Sequence, residues 1–132
     1  MTTKTMAKII LAEDDDDMRR FLVKALEKAG HHVTAFGEGA SAFEEIKQAT
    51  FDLLLTDIVM PEMDGIEACR TLREMPQFEH TIIAFLTART EDYSQIAGFE
   101  TGADDYISKP VKPRVLVSRL RALLRRYESK EA

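Results

Sequence analysis

The chain has 132 residues, of which 45% are hydrophobic and 31% charged, with a formal net charge of −5. That length suits one domain around one core, and the acidic balance excludes general affinity for nucleic acid. A single cysteine, Cys69, excludes an internal disulfide framework and points to a reducing compartment.

Residues 1–7 form a short polar extension without the apolar core of a signal peptide. No stretch approaches the roughly 18 apolar residues of a membrane span, so a cytoplasmic protein without membrane contacts is expected. The first predicted strand is Lys8 to Ala12, followed by the acidic run Glu13 to Asp17. A helix comes next, with Met18, Phe21, Leu22, Ala25, Leu26 and Ala29 on one face and Gly30 at its C-terminal end. Further strands are predicted at His32 to Phe36, Leu53 to Thr56, Thr81 to Leu86 and Asp105 to Ser108, and further helices at Ser41 to Gln48, Ile66 to Met75, Asp92 to Thr101 and Pro113 to Tyr127. Residues 128–132 are left as a polar tail.

Five β-rich runs alternating with helical segments describe an α/β fold: a flavodoxin-like, doubly wound parallel sheet in one domain spanning residues 8–127. Functional groups in such sheets collect where strands end. The first exit carries Glu13 and Asp14, the third Asp57, the fourth Thr87 and the fifth Lys109 followed by Pro110. In strand order 2-1-3-4-5 the first and third exits are neighbours, so their acids converge. Carboxylates crowded in one crevice need a compensating cation, and hard oxygen ligands of this kind suit Mg²⁺. A hydroxyl and an ammonium nearby fit as donors to a phosphoryl group. Asp57, flush with its strand end, is the candidate nucleophile of a phosphoryl transfer.

The chain resembles the CheY-like receiver domain of two-component response regulators. The resemblance rests on Glu13-Asp14, on Asp57 ahead of Met60-Pro61 and Met63-Asp64-Gly65, on Leu86-Thr87-Ala88, on the segment Gly102 to Tyr106, and on Ser108-Lys109-Pro110. The front half resembles stand-alone CpdR-type regulators, and the part from about Thr87 onward resembles OmpR/PhoB-class receivers.

The resemblance implies that Asp57 accepts a phosphoryl group from a sensor histidine kinase. It further implies that Asp14, Asp57 and the main-chain carbonyl of Val59 hold Mg²⁺, with Mn²⁺ as a substitute and Glu13 helping through water. By the same carry-over Thr87 and Lys109 contact the phosphoryl oxygens, Thr87 and Tyr106 form the switch, and the Lys109-Pro110 bond is cis. An output protein or an attached effector domain completes the pathway, and homodimerisation on phosphorylation would use Asp104, Asp105, Arg119 and Arg126. Gln95 and Val115 stand where the OmpR/PhoB class usually carries a base and an acid, and Val59 and Arg89 occupy positions that influence phosphoryl lifetime.

Other features have plainer readings. Cys69 reads as a small buried hydrophobe, and His31, His32 and His80 lack metal-ligand spacing and read as surface residues. The six bases between Lys112 and Arg126 read as a solvated helix face. The acidic run lacks the glycine and spaced acids of an EF-hand loop. The residues admit two rival functions. A nucleotide-binding module would use Gly37-Glu38-Gly39-Ala40-Ser41-Ala42, but Glu38 opposes a pyrophosphate there. An aspartate-nucleophile phosphatase would need a general acid at position 59, which is Val59.

Overall fold

The computed structural model describes residues 6–60, 63–87 and 102–131. Strands β1 (Lys8–Ala12), β2 (His32–Phe36), β3 (Leu53–Asp57), β4 (Ile82–Thr87) and β5 (Asp105–Ser108) form one parallel sheet in the order β2-β1-β3-β4-β5. The central strands are apolar on both sides, as a sheet covered by helices on both faces requires. Every residue of β4 is buried, and β3 is buried as far as Thr56. At the edge, β2 keeps an exposed, mixed pattern.

Strand alternation sorts these apolar residues into two layers. Ile9, Leu11, Leu53, Leu55 and Leu86 face one way and pack with Leu22 and Leu26 of helix α1 (Asp16–Lys28) and Leu116 and Leu120 of the C-terminal helix (Pro113–Glu131). Ile10, Leu54, Ile83 and Phe85 face the other way, against Ala42 and Ile46 of α2 (Gly39–Gln48) and Cys69 and Leu72 of α3 (Gly65–Arg73). Cys69 is therefore a core residue.

Helix α1 is specified at both ends. The Asp15 carboxylate accepts from Met18 N–H at 2.8 Å, and Asp16 and Asp17 lie in the first turn where they complement the helix dipole. At the other end Gly30 takes φ +98°, and His31 N–H donates back to Leu26 O, closing the helix as only a left-handed residue allows.

Several boundaries differ from the sequence expectation. Helix α2 opens at Gly39 instead of Ser41, with Glu38 extended before it. Helix α3 ends at Arg73 and is followed by a 3₁₀ turn, Pro76–Phe78, because the proline cannot continue an α-helix. The C-terminal helix runs on to Glu131, through most of the expected polar tail, because Glu128 to Glu131 contains neither Gly nor Pro to stop it. A two-stranded antiparallel ribbon, Val59–Met60 with Met63–Asp64, was not anticipated. The helix predicted at Asp92 to Thr101, with Arg89 and Gln95, lies outside the described residues. Ala7, counted with the N-terminal extension, is buried.

His31 corrects the surface reading. It is buried, and its Nδ1 accepts from Ala7 N–H at 3.1 Å, satisfying a main-chain donor just ahead of β1. Burial, and then the positive charge of Arg121, holds its pKa below the ordinary histidine value. The neutral form is thus the one that folds. Above the unfolded-state pKa of about 6.5 both states are neutral; as pH falls below it, the unfolded chain takes up a proton that the folded chain resists, and stability declines. Urea unfolding at pH 7.5 and 5.5 should therefore show a smaller acid-side loss in His31→Leu than in the wild type.

Candidate functional site

The sheet register builds the site before any side chain is considered. Ala12 pairs with Thr56, so Glu13 emerges beside Asp57. Asp57 pairs with Leu86, and Thr87 pairs with Ser108, so Thr87 and Lys109 follow on the next two strands. Lys109 N–H donates to Thr87 O at 2.7 Å, and the Lys109-Pro110 peptide bond is cis.

The side chains meet at one cation. Lys109 Nζ lies 2.8 Å from Asp57 Oδ2 and 2.7 Å from Glu13 Oε1. Glu13 is fully buried, whereas the Asp57 side chain keeps 13% of its surface open to solvent. Burial raises the Glu13 carboxyl above its ordinary pKa, against the opposing pull of Lys109 and of an N–H bond from Asp15. Burial also works against the Lys109 ammonium, but bonds and charges from Asp57 and Glu13 outweigh it and hold its pKa above the ordinary lysine value.

One ammonium does not satisfy this acid set. Ligand oxygens of Glu13, Asp14 and Asp57 can all lie within 4.8 Å of one another. The buried Glu13 Oε1 meets the same ammonium that Asp57 uses, so three acids share one lysine. Three hard oxygens around a single positive charge fit a divalent cation of the Mg²⁺ type.

Glycines admit backbone where side chains would not fit. A Cβ on Gly65 would stand 2.6 Å from Asp57 O, and Gly65 N–H donates to Ile58 O at 2.7 Å, so the start of α3 rests directly on the backbone of the site. The suspected nucleotide loop is filled from within, since a Cβ on Gly37 would stand 2.6 Å from Arg19 Nη1.

Thr87 is buried, and Tyr106 is half-buried against the α2/α3 layer. Of the residues expected on a dimer surface, Asp105 is held by Arg119 through two bonds of 2.8 and 3.0 Å within the chain. Asp104 Oδ2 accepts from Arg73 Nη2 at 2.9 Å and from Ile83 N–H at 2.8 Å. Arg73 also donates to Gly102 O, Phe78 O and Thr81 O, clasping the segment ahead of β5 to α3 and the start of β4. Arg126 is exposed. The Arg73 and Arg19 contacts are invisible in the sequence, because an arginine on a helix carries no local signal of a distant partner.

A profile described as the response regulator receiver domain matches residues 9–121. The chain belongs to the response regulator receiver domain family. It is similar to the response regulator receiver protein CpdR of Brucella abortus, 69% identical over 70 residues that cover 53% of this chain and 58% of that protein. It is also similar to the transcriptional regulatory protein AfsQ1 of Streptomyces coelicolor, 41% identical over 123 residues, or 93% of this chain and 53% of AfsQ1. The chain thus spans about half the length of the curated relatives it matches. Among solved structures, the chemotaxis response regulator CheY4 of Vibrio cholerae matches with a TM-score of 0.84 and 30% identity, covering 90% of this chain and 99% of CheY4. DrrB, a Thermotoga maritima OmpR/PhoB homolog, matches with a TM-score of 0.81 and 31% identity, covering 92% of this chain and 54% of DrrB. Receiver domains of this family are signalling switches of two-component systems rather than classical enzymes.

The receiver's acid cluster and its lysine should act on stability with opposite signs. Carboxylates about 5 Å apart repel by roughly 1 kcal/mol even at the dielectric constant of water. Without divalent cation, Asp14→Asn should raise the melting temperature, whereas Lys109→Met, which strands the buried Glu13 beside Asp57, should lower it. Thermal unfolding in chelator checks both signs.

Proposed function

We propose that this receiver is switched by transfer of a phosphoryl group from the phosphohistidine of a sensor histidine kinase to Asp57. The observation that carries the reading is the contact of Lys109 Nζ with Asp57 Oδ2 at 2.8 Å, beside the acids Glu13 and Asp14. A carboxylate oxygen of Asp57 attacks phosphorus in line with the leaving imidazole. A P–O bond forms, the P–N bond breaks, and the imidazole nitrogen keeps the electron pair and takes up a proton.

Mg²⁺, or Mn²⁺ in its place, would be held by Asp14, Asp57 and the Val59 carbonyl, with Glu13 through water, and supplies charge neutralisation for the phosphoryl oxygens. Lys109, already at the carboxylate that reacts, pairs with a phosphoryl oxygen as charge builds there. The Thr87 hydroxyl donates to a second oxygen, and its movement makes room for the ring of Tyr106 to turn inward. The result is a shift between two conformations rather than a chemical product.

Readout passes to an output protein or an attached effector domain through the surface of the expected fourth helix, which lies outside the described residues, β5 and the C-terminal helix. Homodimerisation on that surface would have to draw on Asp105 and Arg119, which already pair within the chain, with Arg126 as an exposed base. The reading places the protein in the cytoplasm, where the kinase presents its phosphohistidine; among the described residues no helix is long and apolar enough to cross a membrane.

Mass spectrometry after incubation with acetyl phosphate and Mg²⁺ tests the proposal. The wild type should gain one phosphoryl mass and Asp57→Asn none; an adduct that persists in Asp57→Asn overturns the assignment. Asp14→Ala should lose Mg²⁺ affinity and phosphorylation together, while Asp17→Ala, a change at an exposed acid paired with Arg20, keeps both.

A further inference from the structure

Glu13 is gripped on both sides of its main chain. Its N–H donates to Phe36 O at 3.0 Å, at the exit of β2, and its carbonyl accepts from Arg19 Nη1 at 2.9 Å. Arg19 sits on the first turns of α1, with only 23% of its side chain exposed, and its Nη2 pairs with Asp16. The space it occupies exists because residue 37 is a glycine, since any Cβ there would reach 2.6 Å from Nη1 and 3.1 Å from Cζ. The neighbouring Arg20 pairs with Asp17 in the open, with 71% of its side chain exposed, and touches nothing at the site.

We infer that Arg19, seated against Gly37, is a positioning residue of the acidic site: it fixes the main chain between Glu13 and Asp14 and so aims both carboxylates toward Asp57. A main chain held by its donor on one side and its acceptor on the other cannot rotate about the Glu13 backbone without losing a bond. The buried Glu13 carboxylate is thereby committed to Lys109 and to the N–H of Asp15. The guanidinium also places a positive charge behind the acid loop, which eases the repulsion among its carboxylates without entering the site. Supports of this kind, one bond removed from a ligand, commonly change metal affinity by about 10- to 100-fold.

The inference rests on the proposed reading of Glu13 and Asp14 as the acids of the metal site, and the test separates the two. Mg²⁺ binding is measured by calorimetry, and amide hydrogen exchange of Glu13 and Asp15 is followed in metal-free protein. Arg19→Met keeps the aliphatic stem and should weaken Mg²⁺ binding by about tenfold and speed both exchanges, while Arg20→Met should change neither by more than about twofold. Gly37→Ala, which displaces the guanidinium without removing it, should move both readouts the same way. The double variant should be no worse than Arg19→Met, since both changes break one contact. Arg19→Lys, which retains charge and one donor, should fall between and serves if Arg19→Met does not fold. Wild-type affinity and unchanged exchange in Arg19→Met, or fully additive losses with Gly37→Ala, overturn the inference. Absence of Mg²⁺ binding by the wild type would instead defeat the proposed function, and the exchange rates would then decide the role of Arg19 alone.

Discussion

The ammonium of Lys109 ties together two strand ends whose carboxylates would otherwise repel. It arrives from β5, at the edge of the sheet, and reaches across β4 to carboxylates following β1 and ending β3. Coulomb attraction in a partly buried crevice has to offset both the desolvation of Glu13 and the mutual repulsion of the acids. It does so incompletely, since the Glu13 carboxyl still stands above its ordinary pKa. A site with negative charge left over is less stable than a neutral one, and a divalent cation would offset that excess.

Much of this arrangement was legible in the sequence because it depends on position rather than on shape. Continuous apolar runs mark buried parallel strands, and a parallel sheet places the residue after each strand on one edge. From that alone Glu13, Asp57, Thr87 and Lys109 could be listed as neighbours. What escaped is of another kind. The clasp of Arg73 on Phe78, Thr81, Gly102 and Asp104, and the seat of Arg19 against Gly37, join residues far apart in sequence, and neither end looks unusual locally. His31 was missed for the same reason, since its partner is a main-chain N–H that any residue could have supplied.

The acids of the Gly102 to Tyr106 segment show how a family resemblance and a structure complement each other. The resemblance to OmpR/PhoB-class receivers offered Asp104 and Asp105, with Arg119 and Arg126, as charges of a dimer surface. Each aspartate already has a partner within the chain, and Asp104, with 36% of its side chain exposed, lies nearer solvent than Asp105, with 17%. Asp104 is bonded to the backbone of β4, so it belongs to the framework of the sheet. Asp105 is tied to a helix surface through Arg119, a partner that remains 46% exposed and can exchange.

Gly65 gives the site an uneven stiffness. Backbone rests on backbone where α3 begins, with no side chain between it and Asp57 to absorb displacement. Toward β4 the register instead places Thr87 beside Asp57, and one strand further lies Tyr106, half-buried against the α2/α3 layer. A displacement of Asp57 toward the start of α3 therefore meets main chain at once.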